Sequence, residues 1–158
     1  MKKLLFALTL MLVSCACLSQ DYKTNAEMGI PLSDDWVLVT DSEEFTSFVN
    51  RRTIQINRDE RKTQVLLNSR DERKAWILTN HKKSQTIDYE KKKQKYKSDK
   101  YHYSFLCDKR ESTAIFAVIY DGNYGNGKAI ASEKIFPQYK GVIPDTIGEA
   151  YYEYVCSQ

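Results

Sequence analysis

Four cysteines, two histidines and one glycine-rich turn are the parts of this 158-residue sequence with the side chains for catalysis or metal binding. Spacing excludes most of that chemistry. His81 and His102 each lack a second histidine at metal-ligand separation. No Gly-x-Ser-x-Gly elbow is present to hold a nucleophilic serine. The turn from Asp121 to Lys128, with Gly122, Gly125 and Gly127, lacks the Lys-Ser/Thr ending of a phosphate loop. As a calcium loop it fails too, because Gly125 stands at the third acidic position and Ser132 where a bidentate Glu is needed. Its glycines suit a hairpin instead. The carboxylates mostly accompany lysines and arginines in turns. The sequence asks for no enzyme, no cofactor and no metal.

Disulfide chemistry is what the cysteines do suit, and the N-terminus sets the compartment. Met1-Lys2-Lys3 is a basic start, Leu4 to Val13 is an apolar run, and small residues follow at Ser14 and Ala16. The run is too short to span a bilayer and fits the core of a secretory signal. Residues 1–19 are therefore expected to be a signal peptide and the protein to be exported. Leu12-Val13-Ser14-Cys15 has the pattern of a bacterial lipobox, which would leave Cys15 as a lipidated first residue. Cleavage after Ala16 or Ser19 instead releases a soluble protein beginning at Cys17 or Gln20, and the two outcomes stay open. Cleavage after Ser19 leaves Cys107 and Cys156 as an even pair. A bridge between them closes a loop of about 50 residues, for which chain entropy gives about 4 kcal/mol.

Loss of 19 residues from 158 leaves 139, enough for one domain with a core and too few for two. Without Lys2 and Lys3 the formal charge falls from +3 to +1, so the protein as a whole is no polyanion binder. Charge is concentrated instead. Between His81 and Lys100 eight lysines face only Asp88, Glu90 and Asp99, a local balance of +5, with Tyr89 and Tyr96 interleaved. Such a run can hold nucleic acid, anionic lipid or sulfated glycans. An exported protein seldom meets nucleic acid, so that partner is set aside. Lys91, Lys92, Lys93, Lys95, Tyr96 and Lys97 are the candidate partner-binding residues. The plainer reading is a solvated hairpin whose lysines discourage edge pairing.

Stepping along the chain, residues 20–35 are polar and aperiodic and read as a tether or an edge-covering arm. Trp36 to Thr40 is the first strand, buried on both faces or lying at an edge under that arm. Phe45–Val49 and Thr53–Ile56 follow, broken by Asn50-Arg51-Arg52. Arg58-Asp59-Glu60-Arg61-Lys62 recurs as Arg70-Asp71-Glu72-Arg73-Lys74, each followed by an apolar stretch. Each copy reads as a charged turn before a strand. In Tyr101 to Cys107 the odd positions share an aromatic face. Thr113 to Tyr120 is the most apolar strand and is expected at the centre. The chain pairs back over Lys128–Ile135 and crosses over Phe136–Ile143. Ile147, Ala150, Tyr151, Tyr154 and Val155 then form one helical stripe, with Thr146 and Glu149 as a capping box. On an ideal wheel Cys156 falls off that stripe, so fraying or tilt is expected at the helix end. The fold class is α+β: one antiparallel sheet of about six or seven strands with a C-terminal helix on one face, tied by Cys107–Cys156.

Taken together, Trp36-Val37-Leu38-Val39, Phe45 and Phe48, Arg52-Thr53-Ile54, Trp76-Ile77-Leu78-Thr79-Asn80, Phe105-Leu106-Cys107, Tyr120-Asp121-Gly122-Asn123 and Ile143 through Cys156 resemble, in order, the bacterial surface-adhesin protein E family. The resemblance covers about 36–156. It implies a single sheet with a C-terminal helix held to its concave side by a disulfide. It also implies an outer-membrane lipoprotein that binds host matrix and serum proteins and can dimerise. Membrane contact would then run only through the lipid anchor, and the location would be the outer-membrane surface or the periplasm. The alternative is a soluble periplasmic domain with a structural, stress or small-ligand role, using the cleft between helix and sheet.

Overall fold

The computed structural model describes residues 24–58 and 71–158. The signal peptide, Cys15 and the body of the first repeat copy lie outside the described residues. Eight strands form one antiparallel sheet: β1 (Trp36–Asp41), β2 (Phe45–Asn50), β3 (Gln55–Arg58), β4 (Asp71–Tyr89), β5 (Lys92–Leu106), β6 (Glu111–Tyr120), β7 (Ala129–Lys134) and β8 (Lys140–Gly141). Across the sheet the order is β1-β2-β4-β5-β6-β7, with β3 continuing on the β2 side of β4 and β8 on the β7 side of β6. The described residues hold one α-helix, α1 (Ile147–Cys156), which follows β8. The expected α+β architecture and its disulfide are present.

The register assigns the faces. Val49, Ile77 and Tyr101 stand opposite one another on one face, and Phe48, Leu78 and Lys100 on the other. Helix α1 lies on the first. Its Tyr151 and Val155 are buried with Val49, Ala75, Ile77 and Phe105, and Ile147 and Tyr154 border them. Fully burying an apolar side chain such as Val155 is worth roughly 1.5–3 kcal/mol, so the predicted stripe holds the helix down. Tyr103 packs between Phe105 and Tyr151 with ring centroids 5.8 and 6.1 Å away, as the alternation of β5 requires.

A second stripe of α1 meets the β5–β6 turn. Tyr152 donates its hydroxyl to the Cys107 carbonyl at 2.7 Å, and Cys156, one turn on, forms the disulfide with Cys107 at a Cα separation of 5.6 Å. The helix stays regular there, with the Ser157 N–H still bonded to the Glu153 carbonyl. Fraying is not needed, because the off-stripe position faces the strand end rather than the sheet.

Several expectations are corrected. In the second repeat copy, Asp71 to Lys74 is not a turn but the start of β4, paired on both sides. Alternate side chains find partners there, and Arg73 is 6% exposed. It forks onto Asp71 and donates to the carbonyls of Val155 and Gln158 at 3.0 and 2.7 Å, clamping the end of α1. The strand expected over Thr53–Ile56 begins two residues later. Arg51–Thr53 is a 3-10 turn capped by the Asn50 side chain, and the Thr53 hydroxyl is used by the Trp76 N–H. Ile56 is consequently exposed. The centre of the sheet is the β4–β5 pair, and β6 lies next to the edge. No capping box forms. Thr146 donates to the Ile143 carbonyl, whereas Glu149 accepts from the Asp145 N–H and pairs with Arg110.

The glycine-rich turn packs onto the far face. Tyr124 reaches Phe48 edge-on at 6.2 Å, and Gly125 takes φ +71° where its backbone meets the Lys100 side chain. Lys100 lies over the rings of Trp36 and Tyr120 at 5.5 and 5.2 Å, and burial lowers its ammonium pKa.

Candidate functional site

The lysine-rich segment is the far end of the β4–β5 pair, and its shape follows from where neighbouring strands stop. The β2 ladder ends at His81 and the β6 ladder at Ser98. Beyond them, among the described residues, β4 and β5 pair only with each other, from Gln85–Tyr96 to Tyr89–Lys92, so the hairpin stands out as a two-stranded arm. Glu90 and Lys91 make its turn with φ +50° and +63°. Positive φ at both central residues is the type I′ geometry that suits the twist of a hairpin, although here no glycine or asparagine supplies it.

Along the arm burial alternates. Gln85, Ile87, Tyr89, Gln94 and Tyr96 are half-buried, whereas Thr86, Asp88, Lys93, Lys95 and Lys97 are exposed. Lys91 and Lys92 at the tip are exposed as well. Strand geometry puts Lys93, Lys95 and Lys97 about 7 Å apart in a row. Asp88, directly opposite Lys93, is the acidic side chain within that row.

The root of the arm is fixed more firmly than its tip. The β4–β5 register jumps between Asn80 and Gln85, so residues 81–84 oppose Lys97 alone. His81 Nε2 lies 2.8 Å from Asp99 Oδ2, and the Tyr96 ring meets His81 edge-on at 5.3 Å. Burial, then the nearby Asp99 carboxylate, raises the Tyr96 phenol above its ordinary value. The same causes, with Tyr103 and Tyr96 added, push Tyr101 up to about 12. Ser98 donates to the Gly122 carbonyl at 2.6 Å and accepts from the Gly125 N–H at 2.8 Å, which locks the arm's base to the glycine-rich turn. That turn serves as a brace.

The candidate residues are thus brought together on one protruding element, except that Tyr96 belongs to its half-buried side. Local reading of the sequence missed the side chains that bind distant segments: Arg73, the His81–Asp99 pair, and a groove on the far face lined by Trp76, His102 and Phe116. Among the described residues, no group of three or more His, Cys, Asp or Glu side chains is placed to hold a metal ion.

A family model described as surface-adhesin protein E matches residues 36–157. Two structures of Haemophilus influenzae protein E superpose with TM-scores of 0.58 and 0.57 at 15% identity, covering 80% of this chain and 90% and 86% of theirs. A third, of protein E from non-typeable Haemophilus influenzae, gives 0.56 at 14% identity, covering 80% of this chain and 78% of that one. At such identity these likenesses speak to the fold alone. No curated protein matches the chain. The family match runs from β1 through the helix that carries the second cysteine, and the chain belongs to the surface-adhesin protein E family.

Proposed function

We propose that this adhesin-like protein of the cell envelope holds acidic partners with its lysine-rich arm. Extracellular matrix proteins, serum proteins and sulfated glycans are the classes that fit. The arm's geometry carries this reading: a two-stranded protrusion, unflanked by other strands, with Lys91, Lys92, Lys93, Lys95 and Lys97 all exposed. Tyr96 supports the row from its half-buried side. Charge density here belongs to one element, since the mature chain carries almost no net charge. The reading needs neither a catalytic group nor a nucleic acid. No described helix is long and apolar enough to cross a membrane. Membrane attachment is assigned to a lipid on Cys15, and pairing of two copies would offer two arms to one partner and raise avidity.

Binding to immobilised heparin and to matrix proteins tests this, with the mature chain at low and at physiological ionic strength. Exposed charges are screened over about 10 Å at 0.1 M salt, so affinity should fall steeply with salt. Replacing Lys91, Lys92 and Lys93 with Gln should remove most of the binding while leaving the fold unchanged. Unchanged affinity in that variant would rule out the arm as the site.

A further inference from the structure

At the opposite end of β4 and β5 from the arm, the far face of the sheet holds an open groove of about 580 Å³. Its floor is aromatic. Trp76 stands directly across the ladder from His102, and their rings stack at 4.9 Å and 6°. Phe116, paired with His102 on β6, meets Trp76 edge-on at 6.1 Å. The opposite wall is the segment after β7, with Ile135 and Pro137 lining it. That wall is tied down: the Ile135 N–H donates to the Ile115 carbonyl at 3.0 Å and the Gln138 N–H to Thr113 Oγ1 at 3.0 Å. The groove is therefore formed without a ligand.

Its polar end is built around one ion-paired carboxylate. Glu72 accepts from Ser104 Oγ at 2.7 Å and from the Tyr139 hydroxyl at 3.2 Å, and its carboxylate pairs with Lys74 at 3.4 Å. Burial pushes the Glu72 carboxyl up, but those hydrogen bonds and the Lys74 charge outweigh it and leave it below its ordinary value. Burial, then Lys74, lowers the His102 imidazole. Two ammonium groups, Lys74 and Lys134, thus face one carboxylate that is already engaged. Lys134 has no carboxylate partner among the described residues. A cation would meet net positive charge. The volume lies within the roughly 300–1,000 Å³ of small-molecule sites.

We propose that this groove binds a small amphipathic organic anion, an aromatic or medium-chain carboxylate or sulfonate, with its apolar body against Trp76 and Phe116 and its head at Lys134. The site shares no residue with the lysine-rich arm, so the two readings stand or fall separately.

Decanoate is the probe. The sequence contains two tryptophans, so Trp36→Phe leaves Trp76 as the reporting indole. Titrated into the full mature chain, decanoate should give a saturable change in Trp76 fluorescence and in its indole N–H resonance. Decyltrimethylammonium should give none. Lys134 is exposed, so Lys134→Glu should leave the fold intact and weaken decanoate binding about tenfold, the factor that corresponds to about 1.4 kcal/mol. Ile135→Asp, which sets a carboxylate in the wall, should abolish it. No saturable change, an equal response to the cation, or a Lys134→Glu variant that binds as before would each overturn the proposal. So would saturation by an uncharged phenylalanine tripeptide amide without a response to decanoate, which would assign the groove to a polypeptide. Heparin binding by the arm should be unaffected by either groove variant.

Discussion

The two ends of the β4–β5 pair are built on different principles. At one end α1 covers the sheet, and every class of stabilising contact converges there: buried rings, a covalent tie, and a buried guanidinium holding the helix carbonyls. At the other end the arm has a ladder and a tight turn, with no strand on either side among the described residues and lysines facing solvent. A two-stranded hairpin by itself is marginal in water, so the arm depends on the sheet for its shape while the sheet does not depend on the arm. Residues in the arm can therefore change at little cost to the fold. Surface chemistry is separated from stability along a single pair of strands.

Cutting the covalent tie is the strongest way to test that separation. The Cys107–Cys156 bridge spans 49 residues of sequence, and a Cys107→Ser/Cys156→Ser double variant should lose about 4 kcal/mol by chemical denaturation. Next is Arg73→Met, which leaves Asp71 and the Val155 and Gln158 carbonyls without their donor. A loss of about 2–3 kcal/mol is expected, with amide exchange rising first in α1. If either variant loosened the arm as much as the helix, the two ends would not be independent.

The helix-covered end should also carry an alkaline limit. Burial, partly offset by hydrogen bonds to Ser47 and Thr79, pushes the Tyr151 phenol up to about 12 from 10.0. The neutral phenol is favoured in the fold, so its contribution is complete below about pH 10 and disappears as pH rises toward 12. For this buried ring the difference is on the order of 2–3 kcal/mol. Urea midpoints measured from pH 9 upward should fall, and Tyr151→Phe should flatten that fall. An equal slope in the variant would move the limit elsewhere, to Tyr101 or to the lysines.

How much of this was visible in the sequence depended on how local the cause was. The stripe Ile147, Ala150, Tyr151, Tyr154, Val155 and the alternation of Tyr101, Tyr103, Phe105 are periodic, and both faces came out as read. The start of β4 was misread because Asp71-Glu72-Arg73-Lys74 carries four charges with no apolar period. Arg73 is buried only because its partners, 82 and 85 residues away, arrive with the helix. The apolar character of β6 does not mark a central position: its side chains are mostly half-buried, and it lies beside the edge strand β7. The groove needed the registers that place Trp76 opposite His102 and His102 opposite Phe116, which no single stretch encodes. The arm was the easier part, since charge density is a local property.

The smallest effects on stability should come from the arm, and they sharpen the comparison from its other side. Glu90 and Lys91 hold positive φ without the residues that favour it, at roughly 1–2 kcal/mol per residue for the left-handed region. Glu90→Asn with Lys91→Gly should therefore stabilise the hairpin by about 1 kcal/mol, read as slower amide exchange between residues 85 and 96. Global stability should barely move, because the arm is not what holds the core. The Lys91, Lys92 and Lys93 to Gln variant should stay within about 0.5 kcal/mol of the parent, as for surface substitutions generally, while its binding to acidic partners collapses. The two variants separate shape from charge. If the Asn-Gly turn weakens binding as much as the loss of all three lysines, one of which it also removes, the partner reads the tip. If it leaves binding largely intact, the partner reads the row of lysines along the strand.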